Sequence, residues 1–234
     1  MDAINGPNDP CQRGIKLSDC RVYLVSPDEQ QWRFKKERSM AFLSHKGLNP
    51  IHVKSPLMKY GGAGGFIMAI NEELEKQKDV SNKDFHPFIV FEDDIDEHYW
   101  RPEIMIPQSA DCVWLGISCW ENPHVRRINT EVSQIFNMYS NHGMMFCTRD
   151  FAVQFRQRAL FALNNKLPYD LPTRILQQQF EVYALNKPLV YQNDPNFQDN
   201  IPVTKVTLDQ SPQLSDEIYQ LWKARRMIFE SQWI

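Results

Sequence analysis

The stretch that most limits the possible folds of this chain is Phe88-Ile-Val-Phe91, which runs without a break into Glu92, Asp93, Asp94, Asp96 and Glu97. A short run of bulky, partly β-branched apolar residues reads as a buried strand. Carboxylates crowded at the tip of such a strand repel one another, and the repulsion is relieved by protonation or by a cation. Hard oxygen ligands suit Mg²⁺ or Mn²⁺, which also bridge substrate phosphates. In open α/β sheets the crevice beyond the strand ends is where ligands sit. The plain alternative is a strand that runs into a solvated acidic turn.

Size and charge narrow the field. At 234 residues and 42% hydrophobic, the chain suffices for one large domain or two small ones. With 26 basic residues against 29 acidic, a general electrostatic grip on nucleic acid or an anionic membrane is not indicated. No stretch approaches the ~20 apolar residues of a membrane span. Residues 1–19 are polar and lack an apolar signal core, so the expectation is a soluble, cytoplasmic chain. The five cysteines (Cys11, Cys20, Cys112, Cys119 and Cys147) are odd in number and without CxxC spacing, which reads as free thiols.

Residues 1–19 read as a flexible arm, and Cys20 to Ser26 as a first buried strand. Ser26-Pro-Asp-Glu29 has the makings of a helix start, with a Ser cap, Pro at the first position and acids in the first turn. Gly47 is placed to end that helix, and Asn49 to Lys54 is a second strand, giving a βαβ unit with parallel pairing. The helix carries Arg33, Lys35, Lys36 and Arg38, a set suited to phosphates or to plain solvation. Gly61-Gly-Ala-Gly-Gly65 opens onto a helix from Phe66. Glycines there allow close approach of a ligand to the helix N-terminus, or close packing of the helix on the sheet. Ala110 to Trp120 is another strand, residues 121–135 are a long loop, and Asp150 to Ala162 is a helix. Asp170 lies close to a further helix start, either as its cap or as a catalytic base. Leu185 to Gln192 is expected as the last strand, and Ser215 onward as a closing helix.

In this order the features resemble glycosyltransferase family 25 and the small GT-A glycosyltransferase domains of large algal viruses. The resemblance spans about residues 20–195 and rests on these elements: Val22-Tyr-Leu-Val-Ser26 with the basic helix to Arg38; Gly64-Gly65 and the helix to Glu73; Phe88 to Ile95; Trp114-Leu-Gly116; Ser140-Asn-His-Gly143; Leu167-Pro-Tyr-Asp170; and Pro188 to Gln192. After Gly65 the chain reads Phe-Ile-Met-Ala, where the family usually carries a Ser-His pair. The resemblance implies an α/β, GT-A-like (Rossmann-like) fold, with a mixed, mostly parallel sheet flanked by helices. It implies a single domain over 20–195, with 196–234 packing on it as an irregular segment and a helix.

It further implies metal-dependent transfer of a sugar from a nucleotide diphosphate sugar, UDP-linked above all, to a hydroxyl of a glycan or glycoprotein. Asp94, Asp96 and His142 are the expected ligands of Mn²⁺ or Mg²⁺, with the Glu-Asp-Asp and Asp-Ile-Asp registers both open. Ser26, Arg38, Gly65, Glu92 and Asp93 are the expected donor contacts. Arg126 and Arg127 are further candidates for the diphosphate. Asp170 is the expected general base of an inverting transfer. The competing functions are a nucleotide-sugar or glycan-binding module without turnover, and a metal-dependent phosphoryl hydrolase using the same acids.

Overall fold

Successive residues of Val22–Val25 and of Phe88–Phe91 face two separate apolar cores in turn, so both segments are dry on both sides. The computed structural model describes residues 11–27, 30–56, 62–117, 125–139, 141–193, 207–208 and 211–221. Its elements run β1 (Gln12–Lys16), β2 (Arg21–Pro27), α1 (Arg33–His45), β3 (Pro50–Ser55), α2 (Gly62–Lys76), β4 (Phe88–Glu92), β5 (Ile95–Glu97) and β6 (Glu103–Pro107). There follow β7 (Cys112–Trp114), β8 (Val125–Arg127), β9 (Val132–Ile135), β10 (Gly143–Phe146), α3 (Arg149–Asn164), α4 (Asp170–Thr173), β11 (Val182–Leu185) and β12 (Val190–Gln192).

Eight strands form one sheet in the order β3-β2-β4-β10-β7-β11-β9-β8. Its pairings leave six strands running one way and only β9 and β10 against them. The expected mixed α/β sheet flanked by helices is therefore what forms. The carboxyl ends of β2, β3, β4, β7 and β11 share one edge with the first residues of β9 and β10.

Strand alternation sorts the side chains. Tyr23, Val25, Phe88, Val90, Trp114, Met144 and Phe146 meet α2 and α3 on one face. Phe88 stacks on Phe146 at 4.8 Å, and Phe155 of α3 meets Phe146 edge-on at 5.2 Å. Val22, Leu24, Ile89, Phe91, Val113 and Leu185 meet Leu43 of α1 and Ile104 and Ile106 of β6 on the other. Each of these fully buried side chains is worth about 1.5–3 kcal/mol of transfer free energy.

Helix ends follow local chemistry. Thr148 Oγ1 accepts from Phe151 N and caps α3. Gly47, at φ +80°, closes α1 as expected. Leu48 N donates to Leu43 O and Gly47 N to Ser44 O, the paired bonds of a Schellman ending.

Several sequence expectations change. The arm over residues 1–19 gives way at Gln12 to β1, which pairs antiparallel with β6; residues 1–10 lie outside the described residues. Ser26 does not cap a helix, because Ser26 and Pro27 stay in register with Lys54 and Ser55 of β3. The helix begins instead at Arg33, after a 3₁₀ turn over Gln30–Trp32. The part of the loop that is described, from Val125, is a β8–β9 hairpin. The single last strand divides in two: β11 lies in the main sheet, while β12 pairs with β5.

Candidate functional site

The acidic run sits where β4 leaves the sheet. Glu92 ends β4 beside Val25 of β2, and Asp93 and Asp94 form the turn into β5. The turn is held from several sides. Ser39 of α1 donates its hydroxyl to Asp93 O (2.7 Å) and Ile95 O (3.2 Å). Asn193 N donates to Asp94 O at 2.6 Å, and Gln192 Nε2 donates to Asp94 Oδ2 at 2.9 Å. Antiparallel pairing of β12 with β5 brings these two donors alongside.

Tyr169 and Asp170 approach from the other face. The Tyr169 hydroxyl donates to Glu92 Oε1 at 2.5 Å. Burial, then the charges of Asp94, Asp93 and Asp170, push the Glu92 carboxyl up to about 8, against the pull of the Tyr169 bond. The Tyr169 hydroxyl is pushed well up by burial and by Glu92, Asp170 and Asp94. Asp170 opens α4 without capping it. Burial raises its carboxyl, against hydrogen bonds from its own backbone N–H and that of Leu171. Glu92, Asp93, Asp94 and Asp170 thus share one electrostatic neighbourhood.

Other expected residues fall beside this group. His142 is buried, and its carbonyl accepts from Glu92 N at 3.1 Å. Burial pushes its imidazole down to about 3, which keeps the ring neutral. The ring packs on Gly116, where an added Cβ would stand 2.4 Å from His142 Cδ2, so residue 116 must be glycine for His142 to keep its place. Asp96 is drawn into a different set: Asn193 Nδ2 donates to its Oδ2 at 3.0 Å, and its charge adds to burial in raising the Tyr191 hydroxyl. Among the described residues no three His, Cys, Asp or Glu side chains form a group able to hold a metal ion, so Asp94, Asp96 and His142 are not assembled as one ligand set.

Ser26 lies at the same edge, buried, with Oγ 2.9 Å from His52 Nε2. Gly65 lies against the sheet: a Cβ there would be 2.8 Å from Val25 Cβ and 3.2 Å from Ser55 Cβ. Gly65 therefore serves close helix–sheet packing, one of the two readings of that stretch, whereas a Cβ on Gly62 would stand 3.2 Å from the Tyr169 ring and 3.5 Å from Glu92 Oε1; Tyr60 and Gly61 lie outside the described residues. Arg38 Nη2 donates to Asn193 O at 3.1 Å and so braces the strand that supports the acidic turn. Arg126 and Arg127 stand elsewhere. They belong to β8, the far border strand, about five strand spacings or ~24 Å from β4. Arg126 there covers the Tyr219 ring at 3.7 Å.

Tyr169, Ser39, Gln192 and Asn193 had no role in the sequence reading. Only Tyr169 carried a signal, as the neighbour of Asp170. The others come from segments whose placement depends on long-range pairing.

No protein-family model matches the chain, and no curated protein matches it significantly. Among solved structures it is similar to a glycosyltransferase described as involved in the glycosylation of the major capsid of PBCV-1. The two share 14% identity with a TM-score of 0.39, over 66% of this chain and 74% of that one. No helix among the described residues is long and apolar enough to cross a membrane.

Proposed function

We propose that the protein is a glycosyltransferase that moves a sugar from a nucleotide diphosphate sugar, UDP-linked in the first instance, to a hydroxyl of a glycan or glycoprotein. One observation carries this reading: Glu92, Asp93, Asp94 and Asp170 converge at the carboxyl edge of a mixed sheet, where burial first and then the charges of the other three raise Glu92 to about 8. Such crowding is relieved when a divalent cation enters.

The donor set fits that cation in chemistry. Mg²⁺ and Mn²⁺ take hard oxygens, and Mg²⁺ typically uses one or two carboxylates, with substrate phosphates and water completing the shell. A three-residue protein cage is not required. Asp94 is the first ligand and Glu92 the second contact, held by Tyr169. When bound, the cation supplies charge neutralisation for the departing diphosphate.

The remaining roles belong to the chain itself. Asp170 accepts the proton of the acceptor hydroxyl as its oxygen bonds to the sugar's anomeric carbon and the diphosphate leaves. A carboxyl raised by burial is the better base for this. Ser39, Gln192 and Asn193 hold the acidic turn so that it need not reorganise during the reaction. Ser26 stands at the edge where the nucleotide would lie, and Arg38 acts through Asn193.

The test is a panel of nucleotide sugars with Mn²⁺, scored for thermal shift and for release of free nucleotide diphosphate. Turnover of one donor, lost in Asp94→Asn with the fold retained, supports transfer chemistry. Metal-independent binding without turnover on any acceptor identifies a binding module. Release of inorganic phosphate, with no sugar transferred, identifies a phosphoryl hydrolase.

A further inference from the structure

We propose that Asn141 reads the transferred sugar, its Nδ2 donating to a sugar hydroxyl that in turn donates to the acidic turn. The inference rests on the nucleotide-sugar reading above and deepens it.

The geometry is set by β10. Its antiparallel register on β4 pairs Gly143 with Phe91 and Met144 with Val90. The bond from Glu92 N to His142 O extends that ladder by one residue. Asn141 directly precedes His142 and Asp93 directly follows Glu92, so both lie just past the last bond of the ladder. Gly116 and Gly143 let the backbones close in here: Leu115 N and Gly116 N both donate to Gly143 O, at 2.8 and 3.2 Å.

Asn141 is 4% exposed, and its Nδ2 is buried with no hydrogen-bond partner. That is costly for an amide, because the N–H groups lose water and gain nothing in return. Two other buried amides have both ends of the amide engaged. Gln177 makes two bonds of 2.7 Å with Met138, and Asn186 bonds both Ser133 and Asn129. Asn141 differs from them by lying at the candidate site.

The chemistry of the position selects the ligand. The chain thus sets a neutral N–H donor close to the turn that carries Asp93 and Asp94, whose carboxylates accept. A hydroxyl is the group that satisfies both at once, accepting from the amide while donating to a carboxylate. A diphosphate oxygen would accept from the amide but offer the carboxylates no proton, and titration of UDP alone separates that case.

Calorimetric titration of UDP-glucose, UDP-galactose and UDP, each with Mn²⁺, into the intact protein, Asn141→Leu and Asn141→Asp tests this. The expected result is a loss of about 10-fold or more in affinity for the sugar nucleotide that the unaltered protein binds best. Affinity for UDP should be unchanged, and the Tm of Asn141→Leu equal or higher. Equal losses for UDP and UDP-sugar, unchanged binding, or a lowered Tm in both variants would overturn the inference while leaving the nucleotide-sugar reading in place. No binding of any of the three to the unaltered protein would overturn that reading, and this inference with it.

Discussion

Glu73 and Glu92, the first buried and the second half-buried, sit at opposite ends of the same sheet, and their surroundings could hardly differ more. Glu73 of α2 is 2% exposed and is met by donors: Arg21 Nη1 at 3.0 and 2.9 Å, the Tyr23 hydroxyl at 2.8 Å and Gln77 Nε2 at 2.7 Å. Gln77 continues to the backbone of His86, just before β4. Glu92, at the other end of β4, meets the Tyr169 hydroxyl and is surrounded by Asp94, Asp93 and Asp170. A carboxylate with its acceptors filled needs no ligand, and it fastens a helix to a sheet. One crowded by its own kind gains from an incoming cation. At the amino edge the carboxylate's acceptors are filled from within the fold; at the carboxyl edge the acids stand beside one another.

That contrast can be broken or sharpened in four steps. The largest effect is expected at Asp94. Asp94→Asn should lower donor cleavage by about 10²–10³-fold, as for other preorganised charge contacts, with Tm unchanged or raised. Steady-state rates and thermal melts on the same preparation decide it; a drop in Tm without a drop in rate would reverse the assignment of the two ends.

Glu73→Ala should do the opposite. It strands Tyr23 and Gln77 and should cost about 3 kcal/mol, roughly 6–12 °C in Tm, with turnover by the folded fraction intact. Denaturant melts at constant m-value would establish this.

The third step is pH. The Glu92 carboxyl is raised in the folded state from 4.5 to about 8. The folded state therefore holds its proton more tightly than the unfolded chain does. Its favourable contribution is complete below about 4.5 and is lost as pH rises toward 8. The metal-free protein should lose Tm across that window, and Glu92→Gln should lose less, by on the order of 3 °C. Added Mn²⁺ should flatten the unaltered protein's profile. Identical profiles for variant and parent would sink the crowding picture.

Tyr169→Phe is the mildest. Loss of one hydroxyl should reduce donor cleavage by about 5-fold and stability by about 1 kcal/mol, read from kcat/KM and Tm together.

The sequence was most legible where one residue type has one physical use. Phe88–Phe91 read as a buried strand, and Gly47 as the end of a helix. Asp170 does stand at a helix start, and His142 directly before β10. The short strands were not legible. Gln12–Lys16 and Glu103–Pro107 show half-buried patterns that acquire meaning only by pairing with each other. Arg126 and Arg127 looked like anion contacts because charge says nothing about which border of a sheet a hairpin will occupy. Ser26 resembled a helix cap until its neighbours in β3 claimed its backbone. Asp96 adjoins the acidic turn in sequence, yet it turns to Asn193 and Tyr191, because β5 is one side of a separate two-stranded ribbon.

The far border of the large sheet carries one more consequence. Val125 of β8 is fully buried. Its N–H donates to Pro212 O at 3.0 Å, and its carbonyl accepts from Leu214 N at 2.8 Å. An open sheet margin is a template for another copy of the same molecule, and here a later stretch of the chain lies over it. Truncation before Pro212 would therefore leave the acid cluster intact while making the protein prone to aggregate.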